Sequence, residues 1–348
     1  MNIVLSLDYE VYFGRRTGSV ERSLIAPTQA LLALAARYRV PLVFFVDVLY
    51  LQALQDAARA HAGPRKDLAR IQRQLAACVH GGHELQLHLH PHWVDARWSD
   101  DGWQMDMRRY RLHDFARDQI HGLVQTGVDT LRCFTGRVSA FRAGGWCLQP
   151  FEALHDALLA AGIAIDSTVF AGGYQHGAGH DFDFRRAPPL SRWRFDRDPL
   201  VPAAQGRFLE VPIASHLVGP GFYWRLALAR RLKQAHHRPL GDGSAMALGR
   251  QDLARKLLWP STSVVSIDGL KADFLEAAYR RYRALGHADF VVIGHPKAVT
   301  PHSLQRLDDF LARHVDENFC GLNACVDGHS AVQVDRCRPA AGPLRWVA

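Results

Sequence analysis

Two uninterrupted apolar runs of strand length constrain this chain most: Val40-Pro41-Leu42-Val43-Phe44-Phe45-Val46 and Phe290-Val291-Val292-Ile293. A strand with water on one face alternates apolar and polar side chains. One that is apolar at every position is covered on both faces, as in a parallel sheet clothed by helices. Shorter strand signals surround these two, at Asn2–Leu7, Glu84–His90, Ile163–Ile165 and Arg207–Ile213. Helical spacing fills the gaps. Pro27 starts a helix carrying Ala30, Leu31, Leu34 and Tyr38. Arg65–Ala77 places Leu68, Ile71 and Leu75 on one face. Phe151–Ala161 is stopped by Gly162, and Ala272–Leu285 precedes the second apolar run. Strand, helix, strand in this order predicts a parallel α/β fold, in which the C-terminal strand ends carry the chemistry.

Composition narrows the class of protein. The 348 residues are 48% hydrophobic and 22% charged, enough apolar material for a sizeable core and unlike a disordered or fibrous chain. Lys+Arg outnumber Asp+Glu by 42 to 34, a net +8, which raises nucleic acid, an anionic membrane surface or an acidic substrate as partners. No zinc-finger, helix-turn-helix or RNA-binding motif supports nucleic acid, so no nucleic-acid partner is expected. No stretch approaches the ~20 apolar residues of a membrane helix. Met1–Asp8 has no basic region before its short apolar run and does not read as a signal peptide. Six scattered cysteines without a CxxC pair read as reduced thiols, and the expected compartment is the cytoplasm, including the inner face of the membrane.

Polar groups gather where strands end. The first strand ends Asp8-Tyr9-Glu10, and period-two geometry sends Asp8 and Glu10 to the same side, although an acidic turn or helix cap would read alike. The segment Gly82-His83-Glu84-Leu85-Gln86-Leu87-His88-Leu89-His90-Pro91-His92-Trp93 holds four histidines in ten residues. Pro91 breaks the strand, so the turn is expected to fold His92 back towards His88. Two imidazoles and a carboxylate suit a zinc-type site with open positions; surface or satisfied core histidines are the plainer alternative. Phe141-Arg142-Ala143-Gly144-Gly145-Trp146, Ile165-Asp166-Ser167 and Ile293-Gly294-His295-Pro296 end three more strands with a guanidinium, a carboxylate and an imidazole.

Read in order, these segments resemble the NodB-homology polysaccharide deacetylases, metal-dependent enzymes that remove N-acetyl or O-acetyl groups from carbohydrates. The family's opening T-F-D-D-G is matched by Ser6-Leu7-Asp8-Tyr9-Glu10. Its G-H-E and H-[S/T]-x-x-H motifs are matched by Gly82-His83-Glu84 and His88-Leu89-His90-Pro91-His92, with Leu89 in place of Ser or Thr. Arg142–Trp146 resembles the arginine motif, Ala161–Ser167 the A-G-x-x-x-D-S stretch, and His295 the final histidine. The likeness covers roughly residues 1–215 and 285–312. It implies a distorted (β/α) barrel of about seven parallel strands, with one divalent metal ion, most often zinc. Transferred residue by residue, it makes His88 and His92 metal ligands and Asp8 the general base, positioned by Arg142. His295 becomes the general acid, tuned by Asp166. Tyr9 stands where the family has its metal aspartate, so Glu10 is the expected third ligand. Trp93 and Trp146 would wall the substrate, or simply pack in the core, and backbone at Gly144 and Gly145 would assist the oxyanion.

The whole chain is expected to be one such catalytic domain, with an insertion at about 216–268 and a C-terminal extension at about 316–348. Within the insertion, 222–236 mixes aromatic, aliphatic and basic residues. It reads either as a packed helix with a solvated arginine face or as a helix resting on an anionic membrane. The expected activity is deacetylation of an acetylated sugar or glycan, nucleotide- or lipid-linked, in assembly of a surface polysaccharide or lipopolysaccharide. Hydrolysis of another non-peptide C–N bond and glycan binding without turnover are the alternatives.

Overall fold

The computed structural model describes residues 1–177, 179–232, 234–245 and 250–327. Lys233 and the 328–348 part of the expected C-terminal extension lie outside the described residues. The chain opens with β1 (Asn2–Tyr9), α1 (Ala26–Tyr38), β2 (Leu42–Asp47), α2 (Val48–Ala60), α3 (Ala62–His80) and β3 (Glu84–Leu89). A hairpin, β4 (Arg97–Ser99) and β5 (Gly102–Gln104), leads to α4 (Arg117–Arg132), β6 (Ala140–Ala143), α5 (Glu152–Ala160) and β7 (Ile165–Asp166). A second hairpin, β8 (Tyr174–Gln175) and β9 (Phe182–Asp183), precedes β10 (Trp193–Phe195) and β11 (Phe208–Glu210). Then come β12 (Ser215–Val218), α6 (Pro220–Arg231), α7 (Arg250–Leu258) and β13 (Ser261–Val264). The described chain finishes with α8 (Leu275–Ala284), β14 (Asp289–Gly294), α9 (Pro301–Arg313), β15 (Asn318–Phe319) and α10 (Leu322–Asp327).

Nine strands form one sheet in the order β10-β11-β7-β6-β3-β2-β1-β14, with β15 also on β1. Every pairing is parallel except β10 with β11. The sheet curls into a half-barrel. Its open side is spanned by isolated parallel bridges, Ile213 to Val291 and Ser266 to Ile293. This is the α/β architecture that the apolar runs predict, with two more strands than expected.

Alternation along the strands explains both cores. Ile3, Leu5 and Leu7 of β1 and Phe44 and Val46 of β2 share one core with Leu31 and Leu34 of α1 and Leu304 and Leu307 of α9. Val4, Val43 and Phe45 face the other way and pack with Val211, Val291 and Leu322. Along this second face polarity rises towards the C-terminal strand ends. On β1 it runs Val4, Ser6, Asp8 and on β2 Val43, Phe45, Asp47, while β3 is polar throughout at Glu84, Gln86 and His88. The sheet therefore collects acids, imidazole and guanidinium at one end without interrupting its apolar packing.

Helices α2, α4, α7, α9 and α10 carry no expectation in the sequence reading. Helix α2 follows Asp47 of β2 with no intervening loop. Helix α4 buries Ile120, Val124, Val128 and Leu131, but Gly122 and Gly127 dilute its pattern. Gly127 lets the helix pack closely on the sheet, since a Cβ would stand 2.8 Å from Leu87 Cδ1 and from Val48 Cγ2 and those side chains would have to shift. In the excursion β12–β13, the two strands pair antiparallel and carry α6 and α7 between them. The chain rejoins the barrel at Val265, whose N–H donates to Ala214 O at 2.7 Å, and the Ile267 N–H then donates to Ile293 O at 3.0 Å. Helix α6 has no fully buried residue, but Phe222 and Tyr223 pack half-buried against the core, the Phe222 ring lying 5.6 Å from that of Phe274, while Trp224, Leu228 and the arginines stand exposed.

Candidate metal centre

The strand ends build the site in layers. Asp8 and Glu10, at the end of β1 and one residue past it, are both buried. The Glu10 carboxylate stands at the centre. Its Oε2 is 3.1 Å from His88 Nε2 and 2.6 Å from His90 Nε2, and its Oε1 accepts from Lys297 Nζ at 2.8 Å. Glu10, His88 and His90 offer ligand atoms within 4.8 Å of one another, the grouping among the described residues that could hold a metal ion. The His88 Nδ1–H donates to Arg142 O at 2.8 Å, which orients the ring and leaves Nε2 to be either protonated or a ligand. Two imidazole nitrogens and one carboxylate oxygen fit a zinc-type ion with open positions. The fit has one incomplete element: His90 Nδ1 is buried without a hydrogen-bond partner among the described residues.

The second histidine of the grouping is His90, not the expected His92. His88 and His90 lie two residues apart and project to the same side, whereas Pro91 opens a 3-10 turn, Pro91–Val94, that carries His92 away. The His92 ring is fully buried, stacked on Tyr110 at 7° with centroids 5.7 Å apart, and 5.5 Å from the His90 ring. Neither of its nitrogens has a partner among the described residues. The same period-two rule that pairs Asp8 with Glu10 points to His88 with His90; the motif-like spacing to His92 obscured it.

Arg142 lies beneath the acids. It is fully buried and donates to Asp8 Oδ1 at 2.6 Å, Ser6 Oγ at 2.9 Å, Ser167 O at 2.7 Å and Ser167 Oγ at 3.1 Å. The Phe45 ring closes one side of the guanidinium at 4.0 Å. On the opposite side His295 Nε2 approaches Asp8 Oδ2 at 3.7 Å and Glu10 Oε1 at 3.6 Å. Its orienting carboxylate is Asp268, not Asp166: Asp268 Oδ2 is 2.7 Å from His295 Nδ1, and Oδ1 accepts the His295 N–H at 2.8 Å. Asp166 instead accepts from Thr168 N and Oγ1, both at 2.9 Å, with the buried Glu210 carboxyl beside it. Val264-Val265-Ser266-Ile267-Asp268 is itself a short apolar run ending in an acid, a signal of the same kind as the other strand ends.

Electrostatics follow from burial and pairing. Burial opposes ionisation of Glu10, but the Lys297 ammonium and both imidazoles hold its carboxyl well below the usual range. Burial likewise disfavours charge on His88, yet Asp8, Glu10 and Asp47 push it up to about 9. His90, with weaker compensation against burial, falls to about 4. Burial raises the nearby Asp47 to about 7. His295 lies above its ordinary value because Asp268, then Asp8 and Glu10, outweigh desolvation.

These groups share a cavity of about 320 Å³ lined by Asp8, Glu10, His88, His90, His295 and Lys297, with Tyr12, Phe13, Tyr110 and Trp146 around them. Gly145 lines it too, with φ +60°, and a Cβ there would stand 2.7 Å from Tyr110 Oη. Gly144 permits β6 to close on β3, since a Cβ would lie 2.4 Å from Leu89 O. Trp93 is not part of this cavity. It is 1% exposed and packs between Tyr50, at 4.7 Å, and Trp103, at 5.2 Å. Sequence reasoning also missed Lys297, which donates to Val11 O at 2.6 Å; its position two residues after His295 was the available signal.

No protein-family model and no curated protein matches the chain. Solved structures similar to it include a polysaccharide-deacetylase candidate from Mycobacterium smegmatis, with a TM-score of 0.46 and 13% identity over 99% of this chain and 94% of that one. Puue allantoinase is similar with a TM-score of 0.48 and 14% identity, over 95% and 91% of the two chains. The Xyl-CE4 domain of a multidomain xylanase from the hindgut metagenome of Trinervitermes trinervoides gives 0.27 and 13%, over 45% and 53%. Likenesses of this size assign no activity to this chain.

Proposed function

We propose that the protein is a metal-dependent hydrolase that removes an acetyl group, attached through nitrogen, from a carbohydrate. One observation carries this reading: Asp8 fixed by Arg142 and His295 fixed by Asp268 flank the Glu10–His88–His90 cluster in a single cavity. A divalent ion of zinc type held by Glu10, His88 and His90 would supply Lewis acidity, lowering the pKa of a bound water from 15.7 to about 7 in favourable sites. Asp8, held in place by its hydrogen bond from the buried Arg142 guanidinium, is the base that accepts the water proton. His295 Nε2 is the acid that protonates the departing nitrogen, and Asp268 on Nδ1 stabilises the imidazolium that this role requires. Backbone at Gly145 and the ring of Trp146 would border the acetyl group and one sugar face. The substrate class we infer is an acetylated precursor sugar, nucleotide- or lipid-linked, used in building a surface polysaccharide or lipopolysaccharide.

A specific observation favours a second reading, glycan binding without turnover. Lys297 already supplies Glu10 with a positive partner. Acetate release from N-acetylated sugars, nucleotide sugars and lipid-linked oligosaccharides, with added Zn²⁺ and with His88→Ala as control, tests the proposal. Metal-dependent acetate release lost in the variant supports it. Metal binding without acetate from any substrate refutes the deacetylase reading and leaves another amide as the target. Failure to bind metal favours the non-catalytic reading.

A further inference from the structure

Among the described residues, seven of the twelve large apolar residues that stand exposed fall between positions 217 and 259, a small part of the chain. Trp224, Leu228 and Leu232 recur every four residues along and just past α6, so they form one stripe. Leu253, Leu258 and Trp259 expose a second apolar edge along and just past α7. The two helices touch, Trp224 Nε1 donating to Leu257 O at 3.1 Å, and Tyr223 Oη meets Ser261 Oγ of β13 at 2.9 Å. Phe222 and Tyr223 thus anchor the pair, and the stripe faces away from the barrel with exposures of 55–67% at Trp224, Leu228, Leu232, Leu258 and Trp259.

Charge accompanies the apolar surface. Between positions 216 and 260 the sequence holds eight arginines and lysines against two aspartates, a formal excess of six out of the chain's +8. Arg230, Arg231 and Arg255 are exposed on the same two helices, with Arg231 next to the stripe by helical spacing. Of the two acids, Asp242 is turned towards the body, accepting from Ser19 N and Oγ at 2.8 Å. We infer that the α6–α7 face docks on an anionic phospholipid surface, with Trp224 and Trp259 at headgroup depth and the arginines on lipid phosphates. Tryptophan suits that boundary because its ring is apolar and its N–H polar, and basic residues beside it gain from the negative leaflet. A second copy of the chain fits worse, since a two-fold contact would set Arg230, Arg231 and Arg255 against like charges. The same excursion supplies Ala245 to the wall of the catalytic cavity, so a docked face and the site belong to one continuous segment. This inference does not rest on the deacetylase reading, because its readout is lipid binding.

The test is flotation of the full chain with vesicles of phosphatidylglycerol mixed with phosphatidylcholine, against phosphatidylcholine alone. Association is expected with the anionic vesicles only. It should weaken as the screening length shrinks from about 10 Å at 0.1 M salt to about 3 Å at 1 M. Trp224→Ser with Trp259→Ser, and separately Arg230→Glu with Arg231→Glu, should each lower the partition coefficient by about tenfold or more. Unchanged thermal melts show that both variants fold. Equal binding to both vesicle types, no binding to either, or full binding by the tryptophan variant would each overturn the inference. So would a doubled mass in light scattering that the tryptophan variant abolishes, because it assigns the face to a second copy.

Discussion

Replacing Lys297 by methionine should tighten the binding of a divalent cation at Glu10, His88 and His90. The Lys297 ammonium is 2.8 Å from Glu10 Oε1, with the two side chains 9% and 5% exposed. At an effective dielectric of about 20 the gross attraction is roughly 6 kcal/mol, an upper bound. Most of it is cancelled by desolvation, and a hydrogen bond between charged groups is worth about 1.5–3 kcal/mol net. A cation arriving at Glu10 either displaces this ammonium or sits beside it; both cases oppose binding. Removing the charge should therefore raise affinity by about ten- to 150-fold, the same free energy expressed as a ratio. Methionine preserves the apolar stem against Phe13 and Tyr12, whose ring centroids lie 4.3 and 5.2 Å from Nζ. Lys297→Arg, which keeps the charge, should stay near wild type. Calorimetric titration of metal-free protein with Zn²⁺ reads the affinity, and the melting temperature with and without metal gives an independent measure through linkage. Unchanged or weaker binding in the methionine variant would refute the reasoning and make Lys297 a permanent partner of Glu10 that a metal does not contend with.

Three further outcomes follow from the same geometry. His90→Ala should weaken Zn²⁺ binding by at least about 100-fold, more than the loss of an outer-sphere partner, while His92→Ala leaves it within a few-fold; the reverse pattern in Co²⁺ absorption titrations would restore His92 as the ligand. Asp268→Asn replaces a charged hydrogen bond to His295 by a neutral one, so kcat should fall by about tenfold and the alkaline limb of the rate profile should move to lower pH, because Asp268 holds His295 up. An unshifted profile would remove Asp268 from that role. The third concerns Asp166 and Glu210, buried side by side: burial lifts Asp166 to about 6, and burial with Asp166 lifts Glu210 well above its ordinary value. A carboxyl with a raised folded pKa stabilises fully below its unfolded pKa near 4 and loses that contribution as pH climbs through the folded value. About two units correspond to roughly 3 kcal/mol lost from Asp166 between about pH 4 and pH 7. Urea unfolding of Glu210→Gln should show a smaller loss across that range than wild type, and parallel curves would count against the shared proton.

Local periodicity and burial were enough to locate much of this protein. The runs Val40–Val46 and Phe290–Ile293 required strands covered on both faces, and they became β2 and β14 of a curled, mostly parallel sheet. Period two placed Asp8 and Glu10 together, since neighbours on one strand need no knowledge of the rest of the chain. The acids and imidazoles at strand ends were legible as a group for the same reason. Other features depended on which strand lies beside which. Asp166 and Asp268 both end short apolar segments, but only the strand order, and the return of the chain at Val265 after the β12–β13 excursion, brings Asp268 to His295. Turn geometry after Pro91 decided between His90 and His92, because a one-residue difference between strand and 3-10 turn redirects a side chain. The pairing of Lys297 with Glu10 joins positions 287 residues apart, a contact that no local pattern encodes and that packing of β1 against β14 creates.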